Sequence, residues 1–117
     1  MDSLISSPEA VFSEAVKIEL IELLKKLPLK TEGTLSNFLS AHLNTDYSKI
    51  SKLFSITEKI TIEEYFIKRK IGKVKKLIQS QEYTFTEISL LLDYNNMNYL
   101  SGQFKNETGM SLTEYKG

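Results

Sequence analysis

The chain has no cysteine, two prolines, five glycines and a single histidine among its 117 residues. Without cysteine there are no disulfides, no zinc–cysteine sites and no thiol chemistry. His42 has no second histidine near it, so the sequence offers no metal-ligating set. There is no glycine-rich phosphate loop and no Ser-His-acid order, and the carboxylates fall at helix-capping positions rather than in acid–base pairs. No run approaches the roughly 18 apolar residues of a membrane span. The first ten residues, MDSLISSPEA, carry an acid where a signal peptide needs bases. These absences predict a soluble, cytoplasmic protein with no cofactor, no metal, no membrane contact and no enzymatic activity.

What is present is enough apolar material for a core, at 41% of residues, and a formal net charge of zero. The zero hides a pattern. Between Phe66 and Gln81 lie Lys68, Arg69, Lys70, Lys73, Lys75 and Lys76 with no acid among them, and both flanks are mildly acidic. Such a run is either a solvated helix face or an anion-facing stripe.

Punctuation and period predict helices throughout, and nothing reads as a strand. Ser7 and Pro8 open a first helix as cap and first helical residue, Val11, Ala15, Ile18, Ile21 and Leu24 keep helical spacing along it, and Pro28 closes it. Thr34 caps a short helix to about Leu43. Asn44-Thr45-Asp46 breaks it, and Asp46 caps the next, to about Glu58. Thr61 with Glu64, Thr84 with Glu87 and Ser111 with Glu114 are three capping boxes. The first opens a helix from Ile62 to about Ile78. Asp93-Tyr94-Asn95 ends the helix that starts at Thr84, Asn96 caps the one after it, and Gly109 suits a left-handed helix end.

The chain also repeats itself. KISKLFSITEKITIEEY (residues 49–65) returns fifty positions later as YLSGQFKNETGMSLTEY (residues 99–115). Ser51 and Ser101, Phe54 and Phe104, Glu64 and Glu114, Tyr65 and Tyr115 coincide, as do the apolar pairs Ile50 and Leu100, Ile60 and Met110, Ile62 and Leu112. With one residue dropped at the turns, Leu39-Ser40 matches Ile88-Ser89, Leu43 matches Leu92, and Asn44 matches Asp93. Each copy has an apolar helix containing a small residue, a turn residue that tolerates positive φ, and a second helix. That is a helix-turn-helix. Tyr65 and Tyr115 read as core residues rather than base-stacking platforms.

This doubled arrangement resembles the DNA-binding domain of the AraC/XylS family of bacterial transcription regulators, over about residues 10 to 116. The second copy carries the closer match, in TEISLLLDYNNMNYLSGQFKNETGMSLTEY, and the first matches through YSKISKLF, TIEEY and the linker KRKIGKVKKLI. The sequence departs from the family pattern at Lys59 and Asp93, where glycine is usual. It departs also at Ser55 (usually Lys), Leu112 (usually Pro) and Gly102 (often polar or basic). The resemblance implies an all-α fold with two helix-turn-helix subdomains joined by a long linker helix. The divisions are an N-terminal segment and first helix (1–30), a first helix-turn-helix (31–61), the linker (62–79) and a second helix-turn-helix (80–117). It also implies double-stranded DNA as partner, with each second helix in a major groove and the linker holding the two about one DNA turn apart.

Advancing 100° per residue with Ile50, Leu53 and Phe54 inward, the opposite face of the first recognition helix takes Ser48, Lys49, Ser51, Lys52 and Ser55. With Leu100 and Phe104 inward, the second takes Asn98, Ser101, Gly102 and Lys105, with Asn96 at its N-terminus. Asn pairs well with adenine, and Lys reaches guanine or phosphate. On the linker, Ile67, Ile71, Val74 and Ile78 form a packing stripe, and Lys68, Lys75 and Lys76 are candidate phosphate contacts. A sensing or dimerising domain, or RNA polymerase, is expected as a partner outside this chain, which reads as a C-terminal fragment or as a protein regulated from elsewhere. The alternative reading is a protein-interaction module that kept the fold and lost its basic contacts. Neutral charge, Ser55 and Gly102 favour it.

Overall fold

Residues 8–30 and 33–117 are described by a computed structural model of the chain. Among them there are seven α-helices and no strand: α1 (Pro8–Lys25), α2 (Leu35–Leu43), α3 (Tyr47–Glu58), α4 (Ile62–Ser80), α5 (Phe85–Leu91), α6 (Met97–Thr108) and α7 (Leu112–Lys116). Two compact units divide them. The first holds α1, α2, α3 and α4 through Phe66, and the second holds Lys26–Lys30 and everything from Ile67 onward.

Helix starts follow the side chains. The Thr34, Asn96 and Ser111 side chains accept from the backbone N–H three residues on, satisfying an orphan donor of each first turn. All three capping boxes close, with Glu64, Glu87 and Glu114 reaching back to the N–H of Thr61, Thr84 and Ser111. Asp46 departs from expectation. It occupies the N-cap position of α3, but its side chain makes no capping hydrogen bond. Ser7, the expected cap of α1, lies outside the described residues.

The two helix-turn-helix turns are built alike. Asn44 (φ 49°) and Asp93 (φ 59°) are both left-handed. The N–H after each, on Thr45 and Tyr94, donates to the carbonyl of Ser40 or Ser89, at 3.2 and 2.9 Å. This bond reaches back over the left-handed residue and closes the helix end. The ends of α3 and α6 match as well, at Lys59 (φ 66°) and Gly109 (φ 78°).

In the first unit Val16, Leu20, Leu39, Ile50, Phe54 and Ile62 form the core, with Phe12, Phe38 and Tyr65 among those packed against it. The buried face of α1 is Ser13, Val16, Leu20 and Leu24. The expected line is displaced: Val11 and Ile18 are more than half exposed. An apolar residue stands on nearly every side of this helix, so period alone does not choose the face and contact with α3 does. Ser13 donates to the carboxylate of Glu58, and Lys17 pairs with the other oxygen of Glu58 at 2.9 Å. His42 stacks on Phe38 and places Nδ1 2.9 Å from Glu19.

The second unit is cored by Ile71, Val74 and Ile78 of α4 with Ile88, Leu92, Leu100, Phe104 and Leu112, and Leu29 joins it by donating its N–H to the carbonyl of Leu91 at 2.7 Å. The anchor aromatics pack alike in both copies. Tyr65 meets Phe54 edge-on at 5.6 Å and 66°, and Tyr115 meets Phe104 at 5.5 Å and 69°. Their role is core packing, as the sequence indicated.

Candidate nucleic-acid interface

With Ile50 and Phe54 buried beneath α3, the outward side presents Ser48, Lys49 and Lys52, all exposed, flanked by half-buried Ser51 and Ser55. None of these five side chains makes a hydrogen bond or ion pair among the described residues. With Leu100 and Phe104 buried beneath α6, Asn98, Gly102 and Lys105 are exposed and Ser101 is half-buried. Asn96 is exposed, but its Oδ1 is occupied by the N–H of Tyr99 at 3.1 Å.

The exposed faces hold more than the sequence reading collected. Tyr99 and Asn106 lie beside Asn98 and Gly102 on α6, and Ile56 lies beside Lys52 on α3. Tyr99 is 62% exposed and Ile56 53%. The same 100° arithmetic carried through every position of each helix would have found them. Tyr99 and Lys49 occupy equivalent positions in the two copies, as do Gly102 and Lys52. The outward faces therefore differ in chemistry although their supports are alike.

The basic run on α4 is divided by its surroundings. Lys68 pairs with Glu107 at 3.2 Å. Lys75 lies over the ring of Tyr115 at 5.9 Å, and Lys76 is exposed. Lys70 is drawn inward, with Nζ 4.0 Å above the ring of Tyr94. Burial pushes its ammonium pKa down, against the opposing pull of Asp93. Tyr94 is pushed up to about 12 by burial and donates its hydroxyl to Oε1 of Gln103. No described helix is long and apolar enough to cross a membrane.

Two buried helical pairs, each offering one helix outward from a fixed turn, define the double helix-turn-helix class. The family model for the helix-turn-helix domain matches residues 39–117, and the chain belongs to this AraC-type family. Its family and fold are those of DNA-binding transcription regulators rather than enzymes. Solved structures agree on the fold. The C-terminal domain of AraT, a response regulator from Geobacillus stearothermophilus, superposes with a TM-score of 0.73 at 21% identity, over 94% of this chain and 84% of that one. The C-terminal domain of the two-component response regulator yesN from Fusobacterium nucleatum gives 0.75 at 22% identity, over 89% and 96%. A DNA-binding transcriptional dual regulator from Escherichia coli K-12 gives 0.69 at 16%, over 99% and 95%. No curated protein matches the chain in sequence.

Proposed function

We propose that this chain is the sequence-specific DNA-binding domain of a bacterial AraC-type transcription regulator, acting on double-stranded DNA in the cytoplasm. In this reading α3 and α6 enter adjacent major grooves, α4 is the spacer between residues 31–61 and 80–117, and regulation arrives from RNA polymerase or a sensing or dimerising domain outside these residues. The observation that carries it is the matched support of two different outward faces. The same turn, the same Phe–Tyr contact and the same capping box hold each second helix, while the positions facing out are free to vary. A repeated scaffold with unlike exposed residues suits two half-sites of unlike sequence. The description of the Escherichia coli relative as DNA-binding supports the same reading.

Asn98 and Lys105 test it together. Asn98 projects from the first turn of α6, the part of a recognition helix that goes deepest, and Lys105 lies two turns on, toward the rim. Asn98→Ala should cost about 1–3 kcal/mol on a selected duplex and little on random DNA. Lys105→Ala should weaken both alike and lower the salt slope by about one. Anisotropy titrations of both variants on both DNAs at several salt concentrations read this out. Equal effects of Asn98→Ala on the two DNAs, or none, would remove α6 from the groove. One observation favours a protein partner instead: Leu90 is 67% exposed beside an apolar recess lined by Pro28, Tyr83, Glu87 and Leu91. A chain silent toward DNA at every salt concentration would shift the reading to that face.

A further inference from the structure

Gln103 is held on one side and open on the other. Its Oε1 accepts the Tyr94 hydroxyl, and its Nε2 has no partner among the described residues. Along α6 it falls on a flank, between the buried line of Leu100 and Phe104 and the exposed line of Tyr99, Gly102 and Asn106. Tyr94 belongs to the turn that joins α5 to α6: its N–H is bonded to Ser89 of α5 and its ring lies against Lys70 of α4, so this flank of α6 faces the turn. In helix-turn-helix proteins the first helix crosses the DNA backbone while the second enters the groove. On the proposed reading the Gln103 flank, next to the turn and beside the exposed line, is the side of α6 turned toward the DNA backbone.

We infer that Gln103 is a backbone anchor, donating its amide N–H to a phosphodiester oxygen, with Tyr94 as the positioning residue that holds the amide in that orientation. The inference rests on the proposed DNA-binding function and adds a contact to it. Lys70 supports the arrangement from beneath. Its ammonium over the Tyr94 ring holds the phenol in place, and the hydroxyl then reaches Gln103. The phenol, like any tyrosine at neutral pH, is protonated and remains a donor. The charges nearby offset one another, Lys70 against Asp93 and Lys68 against Glu107. A neutral amide at this place contributes a hydrogen bond without adding to the counterions released.

The test uses the full chain and a duplex selected in vitro by the wild type, with single methylphosphonates placed one phosphate at a time. For the wild type, one neutralised phosphate should weaken binding roughly three- to tenfold. Gln103→Leu should lose the same factor on unmodified DNA, be indifferent to that phosphate, and keep the wild-type salt slope. Gln103→Glu still accepts from Tyr94 but adds a charge that repels DNA generally, so a purely structural role would weaken it by one common factor on every methylphosphonate duplex. The inference expects it instead to bind more weakly than Gln103→Leu on unmodified DNA and to recover at the one phosphate that the wild type senses. Tyr94→Phe should lose part of the effect at the same phosphate. If Gln103→Leu folds poorly by circular dichroism, the recovery of Gln103→Glu at that single methylphosphonate decides. Should the wild type bind while Gln103→Glu binds equally well, or should every phosphate couple alike in wild type and variants, the anchor is overturned and the DNA-binding reading stands. Failure of the wild type to select any duplex would overturn that reading and the anchor with it.

Discussion

Gly102 sits in the middle of α6 on its exposed side, and a Cβ placed there meets no atom within 4 Å. Nothing in the protein needs a glycine at this position. Gly in a helix interior costs about 0.8–1 kcal/mol relative to Ala, so Gly102→Ala should raise the unfolding free energy by roughly that amount. For a domain of this size that is about 3–6 °C in Tm. DNA should feel the substitution with the opposite sign. Residue 102 points away from the Leu100–Phe104 line, where the wall of the groove would stand if α6 enters it. An added methyl group in a packed interface costs about 1–3 kcal/mol, which is on the order of tenfold or more in affinity. The assay pairs urea melts with anisotropy titrations on a selected duplex. Gly72→Ala is the control, because Gly72 of α4 also has open space around a built Cβ but lies off both recognition helices. It should gain similar stability and leave DNA affinity alone. A fall in stability on Gly102→Ala would refute the open placement of this residue. A gain in stability with unchanged affinity would refute the reading that the α6 backbone comes close to DNA.

Lys59 ends α3 at φ 66°, where its counterpart in the second copy is Gly109, so Lys59→Gly should stabilise the first unit by about 0.5–1 kcal/mol in urea titration. Glu58 is held below the usual carboxylate range, first by the Ser13 hydroxyl and then by Lys17. Its folded pKa lies below the unfolded value of about 4.3, so its contribution is present above that value and is lost as pH falls through the folded one. The stability gap between wild type and Glu58→Gln should therefore be widest near neutrality and close below about pH 4, and a gap that widens in acid would contradict the assignment. Val74 is fully buried in the second unit, so Val74→Asp should cost at least about 3 kcal/mol by thermal melting, and an unchanged melt would mean that the α4 stripe is not packed.

Much of the fold was legible because its determinants are local or doubled. A capping box needs only residues three apart, and Thr61–Glu64, Thr84–Glu87 and Ser111–Glu114 all form as their spacing predicts. A left-handed turn residue shows itself by type, and Asn44 and Asp93 take that role. The repeat supplied an internal check on burial, since a position apolar in both copies is seldom so by accident: Ile50 and Leu100, Phe54 and Phe104, Ile62 and Leu112 are all buried, whereas the matched pair Ile60 and Met110 is half-buried in the first copy and exposed in the second.

What could not be read was decided by partners distant in sequence. The face of α1 turned on Glu58 reaching back to Ser13 and Lys17, forty or so positions away, and a helix apolar on nearly every side gave no local hint. Asp46 has the right residue type for a cap and makes no capping bond, because residue type permits a bond without compelling it. The basic run on α4 is the instructive case. As sequence it is one stripe of six like charges. In the fold, Lys68 is tied to Glu107, Lys70 lies on Tyr94, Lys75 lies over Tyr115, and Lys76 faces solvent. A charge count along a helix therefore overstates what that helix can offer to an anion. The same contact that withdraws Lys70 fixes Tyr94, and Tyr94 in turn fixes Gln103, a neutral residue that no charge pattern would have selected.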